Sequence, residues 1–222
     1  MSAPSTTVTD PRWAVPPVTA LSDVQWLSLA EAQRTGSEPA AGIHATLCWV
    51  RGLRREAPVS ERTEGPVTAA LAESELIAAM IAGDPVDGHL LDGARLLQRT
   101  TREVKYRPAT ATHPAYVLAV WRALRWVVGE GSERAPYRLP VRNEDGTPRS
   151  ADELYRAALA AHPGYATVPE SRERMRNEAD AEARVTRQLA DAIAGAQAGI
   201  GTRPLSAPSD RRRGGHGTYR RG

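Results

Sequence analysis

Apolar positions recur every three or four residues through seven stretches of the chain, the period of a helix that buries one side, so the sequence predicts an all-α fold. The first stretch, 22–36, opens on Ser22 with Gln25 three residues on, the spacing of a capping box. It sets Trp26, Leu29 and Ala30 on one face and stops at Gly36. The second, 38–52, places Ile43, Leu47 and Val50 at i, i+4 and i+7 and ends on Gly52. The third, 67–82, carries a wide apolar face through Leu76, Ile77, Met80 and Ile81 before the breaker Gly83-Asp84-Pro85. In the fourth, 87–105, Leu90, Ala94, Leu97, Thr101 and Val104 follow alternating steps of four and three.

The fifth stretch, 113–129, is the most apolar and is expected at the centre of the core. Pro114 occupies a first-turn position, and Val117, Val120, Trp121, Leu124, Val127 and Val128 cover more than half its circumference. The sixth, 150–161, has a second capping box, Ser150 with Glu153, ahead of Leu154, Ala158 and Ala161. The seventh, 169–198, shows a narrow stripe of Ala181, Val185, Leu189 and Ile193 among charges. Asp180 with Arg184 and Arg187 with Asp191 are spaced for i, i+4 pairs worth about 0.2–0.5 kcal/mol each. Such a stripe suits one close helix contact, so this helix is expected to cap the rest of a monomer, with pairing in a dimer as the alternative.

One heptad is written twice. Thr46 to Gly52 reads TLCWVRG and Ala123 to Gly129 reads ALRWVVG; Ala57-Pro58 and Ala135-Pro136 follow, and then Glu75 to Ala79 matches Glu153 to Ala157. Two related helix-loop-helix units emerge, 38–82 and 115–161, within a helical domain at 21–200. A single helical hairpin has one apolar side, so a duplicated pair packed face to face is the natural way to enclose a core. Trp49 and Trp126 then anchor equivalent helix ends. The other reading of the two rings is a paired aromatic site between the repeats, which would make the chain a small ligand-binding regulator or enzyme.

Composition narrows the function. The chain holds four prolines in residues 1–20, read as a disordered arm, and all but Lys105 of its 29 basic residues are arginine. The bias toward Arg, Ala, Gly and Pro points to a GC-rich genome and suggests an accessory protein of a phage or plasmid. With one cysteine, Cys48, no internal disulfide forms. No run of about 18 apolar residues is present, and the N-terminal residues lack the pattern of a signal peptide, so a soluble, cytoplasmic protein without membrane partners is expected.

The net charge of +3 is unevenly spread: residues 203–222 hold six arginines against one aspartate, a net of +5, which leaves −2 on the other 202 residues. This tail, read as disordered, resembles the Arg/Gly-rich tails of nucleic-acid-binding proteins. Arg211, Arg212, Arg213, Arg220 and Arg221 would attract phosphates of DNA or RNA, and Tyr219 would stack on bases. A contact with another, acidic protein is the alternative use of the same charge. A second basic set, Arg95, Arg99 and Arg102 with Gln98 and Lys105, sits at the C-terminal end of the fourth stretch, where it complements the helix dipole and reads as a solvated face.

Motifs of catalysis are scarce. His44 and Cys48, four apart on one helix face, have the spacing of a nucleophile with its base or of two metal ligands, but no third ligand or electropositive setting adjoins them in sequence. Gly129 to Ser132, GEGS, follows a helix where a phosphate loop would follow a strand. The expectation is a non-enzymatic helical adaptor or accessory protein with no cofactor, metal or catalytic residue assigned.

Overall fold

Local chemistry sets most helix ends. The structure, a computed structural model, describes residues 11–83, 104, 107–111, 113–130 and 134–200, and among these run six α-helices and no strand. They are α1 (Val18–Thr35), α2 (Glu38–Val50), α3 (Ala69–Gly83), α4 (Pro114–Val128), α5 (Ala151–Ala161) and α6 (Pro169–Ile200), with a 3₁₀ turn at Pro163–Thr167. The all-α expectation is met. The helix expected at 87–105, apart from Val104, and the tail at 203–222 lie outside the described residues, as do the first ten residues.

Ser37 caps α2 by accepting from the Ala40 amide at 3.3 Å, Pro114 opens α4 as expected, and the Ser150–Glu153 capping box forms in both directions. Gly36 and Gly129 close α1 and α4 in the left-handed conformation at φ 67° and 76°. The first capping box does not form. α1 begins four residues before Ser22, after Pro17, and the Gln25 side chain turns inward to accept from Arg51 Nη1 at 2.7 Å. A long-range partner outweighs the local cap.

The helices pack in series: α3 against α4, α4 against α2, α2 against α1, α1 against α6, and α6 against α5. The hydrophobic core is drawn from α1 to α4 and the loop at 57–59; Val117, Val120, Ala123, Leu124 and Val127 give α4 its central place. The two heptads meet here, since α2 and α4 pack on each other, with Trp49 at 2 % and Trp126 at 8 % exposure. α3 lies on α4, whereas α5 buries no residue and lies on α6. The α2–α4 crossing is close at Gly42, where a Cβ would come within 2.7 Å of the Tyr116 carbonyl oxygen; only glycine fits without a backbone shift.

The arm read as disordered over 1–20 is ordered from Pro11 onward. The Trp13 indole N–H donates to the Val67 carbonyl at 3.0 Å, and the Val15 amide donates to the Val127 carbonyl at 3.0 Å. Val15 also fills the space left by the missing side chain of Gly129. Proline-rich composition hides these contacts because they lie far along the chain.

The stripe on α6 also differs from expectation. Ala179, Ala183, Thr186, Ile193 and Ala196 are buried, while Ala181 is exposed and Val185 and Leu189 are half-buried. Small residues allow α6 to approach α1 closely, and polar ties fix this register: the Val141 amide donates to Thr186 Oγ1 at 3.3 Å and Arg138 pairs with Glu182. The i, i+4 ion pair that forms on α6 is Arg174–Glu178, at 3.4 Å. At 180/184 and 187/191 none is seen. A turn at Val141 to Arg149 joins this layer to α1 through Arg142, whose Nε and Nη2 reach the two carboxylate oxygens of Asp23 at 2.9 and 2.8 Å.

Trp126 is a packed core residue, so Trp126→Ala should cost about 3–5 kcal/mol of stability. Urea denaturation measures it. A midpoint equal to that of the parent chain would remove Trp126 from the core.

Candidate functional site

The helical spacing of His44 and Cys48 brings their side chains together: Sγ lies 3.4 Å from Nε2. Across the α1–α2 interface, His44 Nδ1 lies 3.2 Å from the Gln25 carbonyl oxygen. A carbonyl only accepts, so Nδ1 carries the proton and Nε2 receives the thiol hydrogen. The order thiol, imidazole, orienting acceptor is that of an activated nucleophile. Its electrostatics are the reverse of activation. Burial pushes the Cys48 thiol up to about 11, against the weaker opposing pull of Arg54 and Arg51. Burial likewise lowers the His44 pKa, outweighing the hydrogen bond to Gln25 that favours the charged ring. The pair is a neutral hydrogen-bonded link between two helices, and no group of three His, Cys, Asp or Glu side chains able to hold a metal occurs among the described residues.

Trp49 and Trp126 are both buried in the core, and neither lines the clefts beside α2 and α4. A different ring, Trp121, borders a hollow of about 930 Å³ with Arg122 and Arg134; the Arg125 guanidinium lies 4.7 Å from the Trp121 ring centre. In the same hollow, burial and a hydrogen bond to Glu31 raise the Tyr137 pKa well above its usual range.

A second cleft, of about 540 Å³, runs between the C-terminal end of α2 and the segment leading into α3, where the ordered arm crosses. Arg12, Arg54 and Arg55 line it together with Trp13, and no acidic residue does. Two acids adjacent in sequence to lining residues are engaged: Glu56 stands 4.0 Å from Arg54, and Glu64 is 2.9 Å from Arg62 and 4.0 Å from Arg107. Arg54 also bonds the Tyr116 hydroxyl, which donates to the Pro58 carbonyl at 3.3 Å. Sequence reasoning missed this set because 41 positions separate Trp13 from Arg54. The available signal was the basic-aromatic pair Arg12-Trp13 in an arm otherwise without charge after Asp10.

The residues expected to meet nucleic acid, Arg211, Arg212, Arg213, Tyr219, Arg220 and Arg221, lie outside the described residues, as do Arg95, Gln98, Arg99, Arg102 and Lys105. No helix among the described residues is long and apolar enough to cross a membrane. No protein-family model, curated protein or solved structure matches the chain.

Two outcomes follow from the His44–Cys48 link. With its pKa pushed up to about 11 against 9.0 for a free thiol, Cys48 should react with Ellman's reagent at pH 8 at least about tenfold more slowly in the folded chain than in urea, the smaller thiolate fraction outweighing the greater nucleophilicity of each thiolate; equal rates would show an exposed thiolate. His44 is held neutral, so its contribution to stability is complete above its free value of 6.5 and is lost as pH falls below it toward the lowered folded value. The fall in urea midpoint between pH 7.5 and 5.5 should therefore be smaller in His44→Gln than in the parent chain.

Proposed function

We propose that this chain is a non-enzymatic helical adaptor or accessory protein of the cytoplasm, acting as a monomer and associating with DNA or RNA through its C-terminal tail. The observation that carries the reading is the segregation of charge, +5 on residues 203–222 against −2 on all the rest. A net-negative body repels phosphates at long range, so attraction is concentrated in the tail. Arginines pair with phosphate oxygens and release counterions, while Tyr219 and the guanidinium planes offer faces for bases, a combination that binds without reading sequence. The neutral state of the His44–Cys48 pair favours the non-enzymatic side of the reading. The use of α6 within the chain, against α1 and α5, favours the monomer.

Ending the chain after Thr202 should leave helical circular dichroism nearly unchanged and remove most retention on DNA or RNA. For the intact protein, log affinity should fall against log salt with a slope of roughly −0.7 to −0.9 per phosphate neutralised. Replacing Arg211, Arg212, Arg213, Arg220 and Arg221 with serine should reproduce the truncation, and Tyr219→Ala should weaken single-strand binding alone. Intact protein that passes over immobilised DNA and RNA unretained at low salt would defeat the proposal.

A further inference from the structure

The arginine cleft between α2 and α3 has the makings of a binding site independent of the tail. Its volume, about 540 Å³, lies within the range of ligand pockets, roughly 300–1,000 Å³. Arg12 and Arg55 are exposed, line the cleft and have no ion-pair partner among the described residues, so two guanidinium groups border it that no described carboxylate engages. A helix C-terminus ordinarily disfavours an anion. Here three carbonyls of the last turn of α2 are already satisfied: those of Leu47, Cys48 and Trp49 accept from the amides of Arg51, Gly52, Leu53 and Arg54 at 2.8–3.1 Å. The opposite wall, Pro66 and Val67, leads into the N-terminal end of α3, whose dipole favours negative charge.

The cleft also has a flat, fixed aromatic wall. Trp13 is half-buried, and its hydrogen bond to the Val67 carbonyl at 3.0 Å holds the indole in place before any ligand arrives. Val50 and Val67 add apolar surface beside it. Guanidinium groups without an ion-pair partner among the described residues, next to an anchored indole, match a ligand that carries a phosphate at one end and a planar ring at the other.

We propose that this cleft binds a nucleotide unit, with Arg12 and Arg55 on the phosphate and Trp13 against the base. A free nucleotide and one residue of a single strand present the same chemistry. The site belongs to the helical body and does not depend on the tail reading.

The test uses the full-length chain with its five tail arginines, 211–213, 220 and 221, replaced by serine, so that any binding left is that of the body. Adenosine monophosphate and a deoxyadenylate dodecamer are titrated by calorimetry and by tryptophan fluorescence. Saturable binding of at least one probe is expected, weakened about tenfold or more by Arg12→Ser with Arg55→Ser. Both replaced side chains are exposed, so the fold is retained, which far-ultraviolet circular dichroism checks. The fluorescence response should vanish in Trp13→Phe. Equal affinity for the two probes assigns a free nucleotide; dodecamer binding about tenfold tighter and salt-sensitive assigns a strand. The proposal is overturned if neither probe binds, if the double arginine variant binds unchanged, or if the binding of the unmodified chain disappears when the tail arginines alone are replaced.

Discussion

The carboxylate of Glu75, fully buried on α3, holds the turn around which the rest of the core is assembled. Its Oε1 accepts from the amides of Val59 and Ser60 at 2.5 and 2.9 Å, and its Oε2 accepts from the Ser60 hydroxyl. Burying an acceptor of this kind is costly unless donors are supplied, and here the turn supplies three. The turn is then a platform. The Val59 carbonyl receives the amides of Thr110 and Ala111 and the Thr110 hydroxyl at 2.8–3.2 Å, and the Pro58 carbonyl receives Tyr116 from the first turn of α4. Beside it, buried Arg62 donates to Ser74 of α3 at 3.0 Å. Removing the Glu75 carboxylate would leave two buried amides without acceptors and loosen the seat of α4.

The same logic explains the buried polar residues of α1. This helix is covered on two sides, by α2 and by α6, so Asp23, Gln25 and Ser28 cannot face water. Each is bonded instead: Asp23 to Arg142, the Gln25 side chain to Arg51, and the Ser28 hydroxyl to the Gln25 carbonyl at 2.9 Å. The Gln25 carbonyl also receives His44. The helix therefore joins an apolar core on one side to a layer held mainly by polar contacts and alanines on the other.

What could be read from the sequence is what neighbouring residues decide among themselves. Pro114, Gly129 and the Ser150–Glu153 box mark helix ends because the groups that satisfy the backbone sit within a few positions. The prominence of α4 was equally legible, since its apolar positions cover most of its surface. Features settled by distant partners were not. Gln25 abandons a local cap for Arg51, 26 residues away; Trp13 finds Val67 across 54 residues; Asp23 and Arg142 are separated by 119. On α6, counting the larger side chains favoured Val185 and Leu189, whereas close approach to α1 selected Ala179, Ala183 and Thr186. The arginine cleft combines both difficulties, joining an arm with a loop.

Serial packing has a consequence for how the molecule opens. α5 and α6 contribute nothing to the main hydrophobic cluster; among the helices their packing toward it is carried by α1, and Arg138 and Val141 of the loop after α4 tie α6 by polar contacts. Apolar burial governs how much free energy a segment must find to detach, so this pair forms a separate cooperative unit with a lower opening free energy than α1 to α4. Its amides exchange with solvent through excursions that leave the inner helices intact. The distribution of apolar burial thus divides one chain into a kernel, α1 to α4, and an outer limb, α5 and α6, that less buried apolar surface holds shut.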